Sequence, residues 1–210
     1  SFRRSIIIPN DTLQLIFLAA IVGIVSAFIA IGFRYLLFFF QNLFFYQEIS
    51  GEEVSPVNNT LGIWVIIVPV IGGLLVGMIT KYFASEAKGH GVPEVMEAMS
   101  VHGEKMRPRI VLFKALASAL SIGSGGSVGR EGPIIQVGSG EGSTIGQLLN
   151  LDRDRVRVLV GCGAAGGIAA TFNTPVAGII FALEIILVEL KSRSFISLVI
   201  AAFFATTVSR

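Results

Sequence analysis

The sequence predicts an all-α membrane protein built from broken, tilted helices, and three observations lead there. Of its 210 residues, 53% are hydrophobic and 14% charged, against roughly 25% charged residues in soluble domains. Several apolar segments meet or approach the ~20 residues that a helix needs to cross about 30 Å of hydrocarbon. Further along, the apolar segments shorten and are cut by Gly and Pro, which a simple bundle does not require.

Composition narrows the functional classes. The 24 glycines fit close packing of membrane helices and sharp turns at a site. The single cysteine, Cys162, excludes an internal disulfide framework and a CxxC pair, and its small apolar neighbours point to a packing role. A net charge of +2 without a basic run interleaved with aromatics gives no sign of nucleic-acid binding. The first long apolar segment exceeds a signal-peptide core and is followed by no small-residue cleavage site, so it is expected to be a retained span.

Taken in order, Asn10-Asp11-Thr12 can cap a helix from about Leu13 to about Tyr46. The stretch 47–59 carries Glu48, Glu52, Glu53 and Pro56 with no Lys or Arg, and is placed outside. A second span runs from Leu61 to Phe83, with Pro69, Gly72, Gly73 and Gly77 available for kinking and close packing. Lys81, Lys88, Arg3, Arg4, Lys191 and Arg193 favour the cytoplasmic side. Gly89-His90-Gly91-Val92-Pro93 opens a brief helix to about Val101, and Arg107-Pro108 opens another to about Ile122. Gly132-Pro133 opens a third, expected to be interrupted by the glycines between Gly138 and Gly142. A small-residue helix follows from Arg153 to Ala170, then a break at Phe172-Asn173-Thr174-Pro175, a helix to about Leu190, and a last segment from Phe195 to Val208.

Half-length, glycine-interrupted helices point to a binding site near the membrane midplane. Proline suits the first helical position, and a preceding glycine lets the chain turn sharply. Both Gly89 to Pro93 and Gly129 to Pro133 therefore aim unpaired backbone N–H groups at whatever lies ahead. Deep in a membrane such donors must line a cavity or meet a ligand, and an anion satisfies them. Glu131 places a carboxylate in this setting: it can occupy the anion position when ionised and vacate it when protonated, as a gate. A salt bridge with Arg130 or Lys114 is the structural alternative. His90 reads as a polar donor lining the pathway or as a structural hydrogen-bonding group; with two histidines in the chain, metal spacing is missing. His102, beside Gly103 and Glu104, reads as an exposed loop residue. Gly161-Cys162-Gly163-Ala164-Ala165-Gly166 fits G-x-G-x-x-G, with Glu184 downstream, and raises a nucleotide-dependent membrane enzyme. The helix start at Asp152 to Arg157 and the break at Pro175 argue instead for close helix packing.

These residues resemble the CLC family of chloride channels and chloride/proton antiporters. Gly129-Arg130-Glu131-Gly132-Pro133 resembles its gating motif, Lys114 stands where the family has a lysine, and Phe172-Asn173-Thr174-Pro175-Val176-Ala177-Gly178 resembles its next break. Gly89-His90-Gly91-Val92-Pro93 resembles its first motif, typically Gly-Ser-Gly-Ile-Pro. The resemblance implies the first of two inverted repeats of a CLC-type transmembrane domain, residues 1–210 being its N-terminal half and the second half absent. It implies a multi-pass homodimer in the cell (inner) membrane, with lipid and a small anion such as chloride as partners, no enzymatic activity and no cofactor. Glu131 becomes the gate, His90, Gly91, Arg130, Gly132, Pro133 and Ile134 the anion-binding set, and Lys114 its electrostatic support. Two residues depart from the family pattern: His90 replaces a serine, and Ile185 stands where antiporters carry an inner glutamate. Isoleucine cannot relay a proton, so the reading leans to a passive voltage- or pH-gated channel. In the alternative, an antiporter, Glu131 and Glu184 form the proton pathway.

Overall fold

The computed structural model describes residues 11–46, 62–83, 89–100, 105–187 and 192–210. The expectations for Arg3, Arg4, Asn10, the stretch 47–59, Lys88, His102 and Lys191 lie outside these residues, as does the side chain of Arg193.

Among the described residues every regular element is helical. Helix α1 spans Asp11–Phe45, a 3-10 turn at Gly62–Ile66 leads into α2 at Ile67–Tyr82, and α3 is the short Val92–Ser100. Then come α4 at Arg109–Gly123, α5 at Glu131–Leu148 and α6 at Arg153–Phe172. The last helices are α7 at Pro175–Phe181, which widens into a π-helical segment at Ala182–Leu187, and α8 at Ser192–Val208. By length and composition, Thr12–Phe45, Trp64–Tyr82 and Arg153–Phe172 can cross a membrane.

The core is organised around α6, which packs on α1, α5, α7 and α8. Its central residues Gly161 to Ala170 are all buried, because Gly and Ala leave no side chain to hold neighbouring backbones apart. At the periphery, the 3-10 turn exposes Trp64, and α2 exposes Ile67, Leu74 and Met78. Apolar side chains facing outward are what a lipid or a further protein segment accepts.

Helix α5 corrects one expectation. The glycines between Gly138 and Gly142 do not interrupt it; it runs unbroken through all 18 residues. A Cβ on Gly138 would collide with the carbonyl of Gly163, one on Gly163 with the carbonyl of Gly138, and one on Gly142 with the carbonyl of Leu159. These glycines are there for backbone contact between α5 and α6, and the dispersion gained offsets the entropy glycine loses in a helix. The helix opened by Pro175 departs in the other direction, changing to π geometry at Ala182. Between α6 and α7 the chain reverses at Asn173, in the left-handed region at φ +56°, which asparagine tolerates better than most residues.

The sequence G-x-G-x-x-G falls in the middle of α6, and Cys162 within it is fully buried. Phosphate binding by such a motif needs a glycine turn opening onto a helix N-terminus. Here the glycines lie well inside a helix, so the nucleotide reading has no structural basis.

Candidate functional site

A cavity of about 690 Å³ opens where α3 and α5 begin. Gly89 and His90 line it from one side, Lys114 and Thr80 from α4 and α2, and Gly129, Glu131, Gly132 and Pro133 from the other. The local backbone explains this convergence. Gly91 has φ +102°, a conformation that costs glycine nothing. A Cβ on Gly91 would strike the Gly132 carbonyl, and one on Gly132 would strike the carbonyl of His90. Two helix starts therefore meet backbone to backbone, and both partial positive ends face one space.

The donors available can be counted from the ladder. Pro133 has no N–H, and the N–H of Ile134 donates to the Arg130 carbonyl at 3.2 Å. The first turn of α5 thus leaves the N–H groups of Glu131 and Gly132 without an intrahelical partner. On α3 the situation differs: the N–H of Gly91 donates to Glu94 Oε2 at 2.7 Å. The carboxylate of Glu94 caps its own helix and stands where an anion would otherwise bind.

Lys114 is 3% exposed, and its Nζ donates to the Gly89 carbonyl at 2.8 Å. It ties the turn before α3 to α4 and brings a positive charge to the cavity wall, within electrostatic reach of Glu94. Glu131 is exposed to the cavity, with its carboxylate folded back over Gly129. The Arg130 guanidinium lies 5.6 Å from the centre of the Phe172 ring. Arg130 is thus turned to the Phe172 ring and Lys114 Nζ to the Gly89 carbonyl.

The residues singled out as an anion-binding set are thus placed differently from one another. His90, Gly132 and Pro133 line the cavity. Gly91 sits beside it with its N–H held by Glu94. Ile134 is 1% exposed and packs in the apolar cluster with Ala27, Ala30 and Ala169, and the Arg130 side chain points to Phe172. Glu184 is exposed on the π-helical segment, and neither it nor Ile185 lines the cavity that holds Glu131.

Sequence reasoning missed the capping role of Glu94, and also Thr80, Ser118, Ser121 and Ser127 on the cavity wall. Glu94 carried a usable signal: an acid in the first turn after Pro93 is a helix-capping position. The serines and Thr80 carried none, since a small hydroxyl in an apolar helix also satisfies itself on its own backbone, as Thr80 does on Val76. A second cavity of about 270 Å³ is lined by Glu94, Glu97, Lys105, Arg107 and Gln136, among others.

Comparison with known proteins identifies the family and the fold. Residues 72–210 match the family model of the voltage gated chloride channel. A putative chloride channel protein ClcB-like from Ralstonia nicotianae is 30% identical over 198 residues, covering 92% of this chain and 46% of the relative. The voltage-gated ClC-type chloride channel ClcB of Escherichia coli is 30% identical over 194 residues, 91% of this chain and 46% of that protein. The chain therefore spans about half the length of these relatives. The fold is that of a slow cyanobacterial Cl−/H+ antiporter, with a TM-score of 0.72 at 23% identity over 94% of this chain and 46% of the other. A eukaryotic CLC transporter superposes with a TM-score of 0.77 at 21% identity, over 93% and 38% of the two chains. A half-length, all-helical chain with these matches belongs to the voltage-gated chloride channel family, the CLC proteins.

Proposed function

We propose that this chain is the N-terminal half of a transmembrane domain that moves chloride or a similar small anion across a membrane, with Glu131 as the gate. The observation that carries the reading is the convergence of the α3 and α5 starts on one cavity that also holds Glu131 and Lys114. An anion there is met by the N–H groups of Glu131 and Gly132, by the positive end of α5 and by the field of Lys114. Helix ends carry about half an elementary charge, so they attract an ion without trapping it. The Glu131 carboxylate competes for the same donors; once protonated it loses its charge and its claim on them. His90 supplies a polar wall, and the homodimer and the second half of the domain complete the working unit.

Transport is read as passive. Ile185 provides no proton acceptor, and Glu184, the acid next to it, does not share the cavity with Glu131. Chloride efflux from liposomes containing the protein together with its second half, with no nucleotide present, is the expected result. Absence of efflux from folded protein would overturn the assignment. In the same liposomes a chloride gradient is expected to drive no proton uptake; a reversal potential that shifts with pH at fixed stoichiometry would make the protein an antiporter.

Lys114 offers a separate test. Lys114→Met removes the charge and the bond to the Gly89 carbonyl while keeping most of the side-chain volume. Chloride affinity, measured calorimetrically on detergent-purified protein, is expected to fall roughly tenfold, about 1.4 kcal/mol. Unchanged affinity would reduce Lys114 to a structural tie.

A further inference from the structure

Glu141 lies about 15 Å beyond Glu131 along α5 at 1.5 Å per residue, away from either cavity, and is 5% exposed. The Oγ of Ser26 on α1 donates to its Oε2 at 2.7 Å. Ser26 is itself 1% exposed and presses against α6, where a Cβ on Gly166 would come within 3.1 Å of its side chain. The second carboxyl oxygen, Oε1, is buried without a hydrogen-bond partner. Ser26 lies about 22 Å from one end of α1 and about 29 Å from the other at the same rise, so this seam is near the middle of the span.

We propose that Glu141 is a proton-binding site at mid-depth in the membrane, with the Ser26 hydroxyl as its fixed partner, and that its proton sets how tightly α1 closes on α5 and α6.

A purely structural carboxyl would have both oxygens satisfied, as buried polar groups normally do. This one is held at one oxygen, and an acidic residue buried between two helices long enough to span a membrane, α1 and α6, marks a functional site by default. What a carboxyl adds to a seam that glutamine would fill equally well is the capacity to gain or lose a proton. The groups facing it are few. Ser26 comes from α1, and the Cys162 thiol from α6 lies within electrostatic reach. On the α4 side the neighbouring Gly140 meets Val111 and Met106. The charges that α3, α4 and the segment before α4 bring towards α5, Glu94, Glu97, Lys114, Lys105 and Arg107, line the two cavities instead. Among the described residues Glu141 has no ion pair, so a charge created there is met only if water enters or the seam loosens. The proton comes from that water and returns to it; an O–H bond is the only bond formed and broken.

The proposal is independent of anion gating at Glu131, and neither readout below uses anion flux. Infrared difference spectra between acidic and alkaline pH, taken on the whole protein in lipid vesicles, are expected to show a protonated-carboxyl C=O band that is lost in Glu141→Gln. The band is expected to shift to higher frequency in Ser26→Ala, which keeps the carboxyl and removes its donor. Peptide-resolved alkylation reads the seam: Cys162 labelling in the wild type relative to Glu141→Gln is expected to rise about tenfold from acidic to alkaline pH. A spectrum unchanged by both substitutions, or a labelling ratio independent of pH, would overturn the proposal. Should Glu141→Gln fail to fold, Ser26→Ala decides alone: a shifted band supports the site, and an unmoved spectrum removes it.

Discussion

Glu131→Gln is expected to make chloride flux insensitive to pH and to raise it at alkaline pH about five- to thirtyfold over the wild type. Glu131 stands at the start of α5 and lines the cavity, and in the proposed mechanism its ionised carboxylate competes for the N–H groups of Glu131 and Gly132. An anionic side chain in a favourable, partly enclosed position at a helix N-terminus is stabilised by up to about 2 kcal/mol, and 1 to 2 kcal/mol corresponds to that range of occupancy. Flux should therefore rise in the wild type as pH falls, because protonation removes the competitor. Glutamine carries no charge at any pH, so the variant should behave as the wild type does in acid. Flux measured by chloride efflux across a pH series decides it. A variant that keeps the full wild-type pH dependence would move the gate elsewhere.

The largest effect on stability is expected from Gly163→Leu, which should yield no folded protein. The site leaves no volume for a side chain: even a Cβ on Gly163 collides with the backbone carbonyl of Gly138, and the reciprocal contact is also a collision. Backbone cannot move aside as a flexible side chain can. Separating α5 from α6 to make room would open the best-buried part of the molecule, Gly161 to Ala170. Effects above about 4 kcal/mol are reserved for disruptions of this kind. Gly32→Ala is the control, since an added Cβ there meets nothing within 4 Å and the change should leave the protein folded, stabilised by up to about 1 kcal/mol. Monodisperse yield after detergent extraction, together with thermal melting, distinguishes the two. A well-behaved Gly163→Leu protein would mean that the α5–α6 contact is not the centre of the fold.

Both variants show where the sequence could be read and where it could not. Helix starts at Gly89 to Pro93, at Arg107-Pro108 and at Gly132-Pro133 were legible because proline and glycine restrict the backbone locally, whatever surrounds them. Glu131 could be placed at the site for the same reason, as a charge at one of those starts, whereas Lys114 was placed there by the resemblance to the CLC family. The glycine run of α5 was misread because glycine signals a break in water but a contact in a membrane. With no solvent to compete for backbone hydrogen bonds, the helix continues. Glu94 as the cap on Gly91 is a local contact three residues apart, whereas the pairing of Ser26 with Glu141 across 115 residues of sequence is a product of tertiary contact. No periodicity within α1 or α5 announces that pairing.

The continuity of α5 has a mechanical consequence. Its 18 residues make a rod about 27 Å long, with Glu131 at one end. Near the other end, Ser143 accepts the N–H of Met106 and Gln147 donates to the Met106 carbonyl. A rod pinned in this way cannot absorb a displacement by bending at a hinge it does not have. Motion of the Glu131 end must appear at the Met106 segment, beside the second cavity, as tilt or translation of the whole helix. The element that holds the proposed gate is thus also a lever between the two cavities.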